Sequence, residues 1–207
     1  MMTAHLLRAD RLALPALFAM AIALTCWGTA AQAQAKFVVE VVAEKPLEAL
    51  PDGDLFWHAE TFATLDEAEA AATETGVPAE LGGKVWLLTL GPKDMAGRGG
   101  EWVASIGPID RFDAPGYLLR INVSDAPPGS KTSVHSHPGS EAIYILSGEA
   151  TIRWPDRTDV VGVGESLAGA APHTAMEATS TGDEDLVELI MFVVDSTLPF
   201  ATPAKLD

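Results

Sequence analysis

The sequence predicts an all-β domain, an antiparallel sandwich or barrel, preceded by a small extension that mixes strands with one short helix. From residue 116 onward, short apolar runs follow one another closely, and Gly, Pro, Asp and Ser separate them. Residues 186–194, LVELIMFVV, form an apolar run that is typical of a strand buried on both faces. The extension contains a capping-box pattern at Thr64–Glu67, which predicts the start of a helix.

The extension, residues 34–110, contains four predicted strands and the helix. The helix begins after Thr64, continues through the alanine-rich segment and ends before Gly76 and Pro78. The predicted strands are 36–44, 55–62, 84–90 and 102–106.

The barrel domain, residues 111–207, contains six predicted strands and an irregular tail. In the first strand Tyr117, Leu119 and Ile121 alternate with Arg120 and Asn122, a pattern that predicts one buried and one solvent-facing side. The predicted strands are 117–124, 133–137, 142–146, 150–154, 158–163 and 186–194, with a hairpin turn at 155–156.

The first 33 residues have the pattern of a cleaved export signal. Arg8 and Arg11 precede an apolar segment without charged residues, and small-residue cleavage sites follow at Ala31–Ala33 or Ala33–Ala35. The alternative is an uncleaved membrane anchor, because the uncharged run is long enough to span a bilayer. Cleavage after Ala33 predicts a periplasmic or secreted mature protein that has no membrane association.

The composition limits the partners and the chemistry of the mature chain. The formal net charge of the full sequence is −16, which disfavours binding to nucleic acid or to anionic lipid. The single cysteine, Cys26, lies within the predicted signal, so the mature chain has no thiolate ligand and no disulfide. Any bound metal must therefore be held by histidine and carboxylate.

One segment, residues 129–148, concentrates the side chains that can bind metal. His135 and His137 are two apart in an extended segment, so they point to the same side, and Glu141 follows a Pro-Gly turn. Imidazole and carboxylate together suit Zn, Mn, Fe, Ni or Cu. Ile143 and Ile145 share the inward parity of Glu141 and predict an apolar wall beside the metal.

The pattern G-x5-H-x-H-x3-E-x6-G, from Gly129 to Gly148, resembles the first motif of the cupin superfamily. The second cupin motif is matched in part: its spacing ends on His173, but Ala168 and Ala170 stand where the family has proline and glycine. Glu177 stands in place of the family's asparagine and is expected at the surface.

The resemblance is to single-domain cupins of type 2 and implies an antiparallel, jelly-roll-like cupin barrel that is often a homodimer. It implies a divalent transition metal (Fe, Mn, Zn or Ni) held by His135, His137, Glu141 and His173. Ser133, Ile143 and Ile145 are the expected contacts of a small organic molecule.

Three functions are compatible with this site. The first is a metal-dependent oxygenase or isomerase that acts on a small molecule outside the cytoplasm. The second is a barrel that binds metal or a small molecule without turnover. The third is a structural cupin whose site is vestigial.

Overall fold

The computed structural model describes residues 36–206, which form one helix and fourteen strands. The helix, α1, is Leu65–Ala71. The strands of the N-terminal half are β1 Val38–Leu47, β2 Leu55–Phe62, β3 Gly76–Leu81, β4 Lys84–Gly91, β5 Glu101–Ile109 and β6 Tyr117–Ala126. The strands of the C-terminal half are β7 His135–Ser136, β8 Gly139–Ser147, β9 Glu149–Arg153, β10 Thr158–Gly162, β11 Ser166–Ala168, β12 Glu177–Ser180, β13 Leu186–Asp195 and β14 Thr202–Pro203.

The largest sheet has five antiparallel strands in the order β1-β6-β13-β8-β11. Its register aligns Asn122 of β6 with Ile190 of β13, and Ile190 with Ile143 of β8, so these three side chains form one row across the sheet. The same pairing places Phe192 beside Glu141 in the adjacent row. Rows on this face of the sheet line the barrel interior.

A three-stranded sheet, in the order β10-β9-β12, and the two-stranded pair β14-β7 complete the barrel. The hairpin predicted at 155–156 is confirmed, since the Trp154 amide donates to the Arg157 carbonyl between β9 and β10. The interior core comes from both sheets and includes Ile143, Ile145, Ile152, Met176, Ala178, Leu186, Ile190 and Phe192. The predicted all-β, jelly-roll-like antiparallel barrel is therefore confirmed.

The extension packs a four-stranded sheet, in the order β3-β4-β2-β5, against the outer face of the five-stranded sheet. Trp57 and Trp86 from the extension share one core with Leu119, Ile121 and Met191. Consequently the prediction that β6 has a solvent-facing side is wrong. One face of β6 packs against the extension, and the polar face is the barrel interior.

The helix begins where the capping box predicts it. Thr64 is the N-cap, and its side-chain oxygen accepts a hydrogen bond from the Glu67 amide at 3.3 Å. The helix is shorter than predicted, because the cap at its end is Ala72 and the residues from Gly76 form the strand β3. The Lys45 ammonium donates to the carbonyls of residues 73 and 76 and holds the connecting segment against β1.

The predicted signal peptide, residues 1–33, lies outside the described residues. Residues 36–206 belong to one compact unit, because the extension and the barrel share a core. The boundaries at residues 33 and 110 stay predictions. No helix within residues 36–206 is long and apolar enough to cross a membrane.

Candidate metal and ligand site

A cavity of about 390 Å³ lies inside the barrel, between the five-stranded sheet and the β14-β7 pair. This volume is within the range of small-molecule sites. Most of its lining is apolar, from Phe37, Val39, Ile143, Met176, Ala178, Ile190, Phe192, Phe200, Ala201 and Pro203. Its polar lining comprises Asn122, Thr132, Ser133, His135, His137, Glu141, Glu188 and Thr202.

His135 and His137 lie side by side at the cavity, with ring centroids 4.9 Å apart and ring planes at 87°. The Nδ1 of His135 is 2.7 Å from the Ser133 carbonyl, and the Nδ1 of His137 is 2.8 Å from the Phe200 carbonyl. A carbonyl only accepts, so both Nδ1 atoms carry a proton, and a neutral ring in this arrangement keeps its lone pair on Nε2. This is the tautomer that a metal-ligating histidine needs.

Burial keeps His137 neutral. Loss of water around the ring lowers its pKa from 6.5 to about 4, against the opposing effect of the bond to the Phe200 carbonyl. The ring packs against Phe192 and Phe200, with centroid distances of 4.9 and 4.7 Å. A neutral imidazole is the form that donates its lone pair to a metal.

Glu141 is the third metal-capable side chain at the cavity. Its Oε2 lies 3.9 Å from the His137 Nε2, and its Oε1 is buried without a hydrogen-bond partner among the described residues. Burial first, and the neighbouring Glu188 carboxyl second, raise the pKa of Glu141 from 4.5 to about 8. Gly169 closes over this side chain, since a Cβ there would lie 2.7 Å from the Glu141 Cγ.

His173 does not line the cavity. Its side chain is exposed, its φ is 64°, and its amide donates to the His137 carbonyl at 2.7 Å. The backbone of His173 is thus beside the site while its ring is not part of it. Within residues 36–206, no three His, Cys, Asp or Glu side chains are arranged closely enough to hold an ion as they stand.

The residues predicted to contact a small molecule divide into two groups. Ser133 and Ile143 line the cavity, and the Ser133 carbonyl also fixes the tautomer of His135. Ile145 points into the barrel, as its parity predicts, but it is fully buried in the core and does not line the cavity.

Two functional features were not predicted from the sequence. The C-terminal tail forms one wall of the cavity, because β14 pairs with β7 and the Phe200 carbonyl binds His137. Glu188 also lines the cavity at 1% exposure, on β13. A single carboxylate within the apolar run LVELIMFVV is the signal that could have identified it, because a buried charge needs a partner.

Glu177 is buried at 7% exposure, so the expectation that it lies at the surface is wrong. Its two oxygens accept from Lys131 at 3.0 Å and from Arg153 at 3.2 Å. The two cations compensate the carboxylate, which explains why burial is tolerated. Glu177 does not line the cavity and belongs to the support of the three-stranded sheet.

The barrel geometry and the site together define a cupin domain, and the comparison of sequences agrees. The family model of the cupin domain matches residues 122–192, which span β6 to β13 and include the histidine pair and Glu141. Residues 122–192 therefore carry a cupin domain. No curated protein matches the chain.

Three solved structures that are similar to the chain each cover 42–43% of it. A conserved protein of unknown function from Streptococcus pyogenes is 26% identical, with a TM-score of 0.34 over 43% of this chain and 71% of that one. The DMSP lyase DddQ from Ruegeria pomeroyi is 22% identical, with a TM-score of 0.37 over 42% of this chain and 43% of that one. A cupin 2 domain-containing protein from Halorhodospira halophila is 18% identical, with a TM-score of 0.37 over 42% of this chain and 59% of that one.

Proposed function

We propose that the protein binds one divalent transition metal (Fe, Mn, Zn or Ni) and a small organic molecule in its barrel cavity. The observation that carries the proposal is the pair of histidines that both donate Nδ1–H to carbonyls and keep Nε2 lone pairs at the cavity. Glu141, with one buried carboxylate oxygen that has no hydrogen-bond partner among residues 36–206, adds the third donor.

His135, His137 and Glu141 are the proposed ligands, and His173 is the proposed fourth. The donor chemistry fits a borderline metal, since two neutral imidazoles and a carboxylate suit Zn, Mn, Fe or Ni. His173 is included because of its motif position, and the hydrogen bond from its backbone amide to the His137 carbonyl supports its inclusion. Its contribution is tested separately from that of the other three.

The proposed activity is that of a metal-dependent oxygenase or isomerase. A metal held by three or four protein ligands supplies a Lewis acid with an open coordination position. The chain's own part is to hold two imidazoles in one tautomer and to exclude water with Phe192 and Phe200, which pack at 4.9 Å. Ile143 and Ile190 supply the apolar surface on which a substrate lies.

One observation favours a second candidate, a barrel that binds a small molecule without turnover. The His173 side chain is exposed, so only three of the four proposed ligands line the cavity. If the cavity has also lost the ability to bind metal and small molecules, this candidate becomes a structural cupin with a vestigial site.

Metal analysis of the purified mature protein tests the proposal. We expect about one equivalent of transition metal in the wild type and a loss of it in the His135→Ala/His137→Ala variant. His58→Gln is the matched control, because His58 lies in the extension, away from the cavity, and Gln retains a donor for the Pro92 carbonyl.

The outcomes separate the candidates. Equal, near-zero metal in the wild type and in the double variant would contradict the metal site. Metal retained in His173→Ala at the wild-type level would limit the site to three ligands. If metal is bound, oxygen consumption with a panel of phenols, thiols and keto acids separates an oxygenase from a binding protein.

Export and a homodimeric state are further parts of the proposal. The N-terminal sequence pattern supports export to the periplasm or the medium, with cleavage after Ala33. Intact mass spectrometry of the protein from a periplasmic fraction should give a chain that begins at Gln34. Recovery of the protein in the membrane fraction with residues 1–33 still attached would contradict cleavage and export. Light scattering of the purified protein tests whether it is a dimer.

A further inference from the structure

Glu188 occupies the inner face of the five-stranded sheet, in a different row from the proposed metal ligands. The β6-β13-β8 register places Ser124, Glu188 and Ile145 in one row, and Glu141 lies in a row four residues away along β8. Four residues of strand span about 13 Å, so the Cα atoms of Glu188 and Glu141 are about that far apart along the strands. Glu188 therefore lies at a different point along the strands from Glu141, although both side chains line the cavity.

The hydrogen bonds of Glu188 fix its orientation and leave one oxygen without a hydrogen-bond partner. Its Oε2 accepts from the Ser124 hydroxyl at 2.8 Å, and its own amide donates to the same hydroxyl oxygen at 3.1 Å. Its Oε1 is buried and has no hydrogen-bond partner among the described residues. Burying a carboxylate oxygen without a partner is costly, so the position is held at the expense of stability.

The cavity offers this carboxylate no cationic partner from the described part of the chain. Its lining contains two carboxylates and no lysine or arginine. Arg120 contacts two residues of the cavity wall, but its guanidinium is engaged by other partners. It donates to Asn122 at 2.9 Å, pairs with Glu44 at 3.2 Å and stacks on Phe200 at 3.8 Å.

We propose that Glu188 anchors the ammonium group of a small organic cation whose apolar body lies against Ile190 and Phe192. The proposal rests on the proposed function, because it names the class of molecule that the same cavity binds. An N–H group of the ammonium donates to the unpaired Oε1, and its charge compensates the buried carboxylate. The apolar lining accounts for the rest of the ligand and disfavours a bare inorganic ion at this end.

Three probes of similar shape and different charge test the inference. We would measure binding of benzylamine, benzyl alcohol and benzoate to EDTA-treated protein at pH 7.5 by calorimetry. Shifts of the Ile143 and Ile190 methyl resonances would locate each probe. EDTA treatment prevents the amine from binding through a metal.

The wild type should bind benzylamine about ten- to a hundredfold more tightly than benzyl alcohol, the range expected for a hydrogen bond to a charged group. The variant Glu188→Gln should lose this preference and retain its affinity for the alcohol. Glu48→Gln, an exposed site with the same change of charge, is the control and should match the wild type. If Glu188→Gln does not fold, Glu188→Asp shortens the side chain and should also weaken benzylamine binding.

Two results would overturn the inference. If the alcohol or benzoate binds the wild-type cavity as tightly as the amine does, Glu188 is not a cation anchor, and the small-molecule part of the proposed function still stands. If none of the probes shifts the Ile143 and Ile190 methyls, the inference fails. The metal content of the untreated protein then decides the metal site independently.

Discussion

Replacing Glu141 by glutamine should stabilise the metal-free protein at alkaline pH. Burial raises the pKa of this carboxyl from 4.5 to about 8, so its ionised form is disfavoured in the folded state. A pKa change of that size corresponds to about 5 kcal/mol at pH values above both pKa values. The Glu188 carboxyl contributes part of this pKa shift. We therefore expect Glu141→Gln to raise the free energy of unfolding by about 3–5 kcal/mol at pH 8.5.

The sign follows from the protons that each state binds. Between pH 4.5 and 8 the folded state retains the Glu141 proton and the unfolded chain does not, so stability falls as pH rises. His137 acts in the opposite sense, since its pKa is lowered to about 4 and stability rises as the pH increases from 4 to 6.5. The effect of Glu141 is therefore seen without that of His137 between pH 6.5 and 8.

Urea unfolding of EDTA-treated protein at pH 6.5, 7.5 and 8.5 measures this effect. The wild type should lose stability across this range, and Glu141→Gln should lose less. Glu48→Gln, an exposed carboxylate, should behave like the wild type. Equal pH dependence in the wild type and in Glu141→Gln would refute the conclusion that Glu141 is buried and uncompensated.

Three other variants test the packing around the site. Gly139→Ala would place a methyl group against the backbone carbonyl of Val193 and should lower the free energy of unfolding by about 3 kcal/mol or more, as measured in urea. A variant as stable as the wild type would contradict the register of β8 and β13. Phe200→Ala removes a ring that covers His137, so an NMR titration should show the pKa of the His137 imidazole moving from about 4 toward 6.5. An unchanged pKa would mean that the C-terminal tail does not cover His137. Thr64→Ala removes the cap of α1 and should lower the free energy of unfolding by about 1 kcal/mol without changing metal content. A change below about 0.5 kcal/mol, which is within the scatter of surface substitutions, would argue against the cap.

The parts of the fold that depend on local periodicity were predictable. Alternation along β8 places Ile143 and Ile145 on the same face as Glu141, and the structure confirms this parity. The capping box at Thr64 places the start of α1 correctly for the same reason. Each of these patterns depends on neighbours within a few residues of one another.

The parts of the site that depend on distant residues were not predictable. The carbonyl that fixes His137 belongs to Phe200, 63 residues away, in a tail whose sequence looks irregular. The alternation of polar residues along β6 resembles that of a strand with one solvent-exposed face, because periodicity does not distinguish solvent from a polar cavity. Whether an exposed His173 can serve as a ligand depends on its left-handed backbone, which spacing does not reveal.

Anomalous scattering from crystals soaked in ZnCl₂ tests most directly whether the barrel cavity binds a metal through the histidine pair and Glu141. We expect one peak inside the barrel, about 2.0–2.1 Å from the Nε2 atoms of His135 and His137 and about 2.0–2.2 Å from a Glu141 oxygen. We expect no peak in crystals of His135→Ala/His137→Ala. A wild-type cavity without a peak, or a peak held only by surface carboxylates, would contradict metal binding at this site.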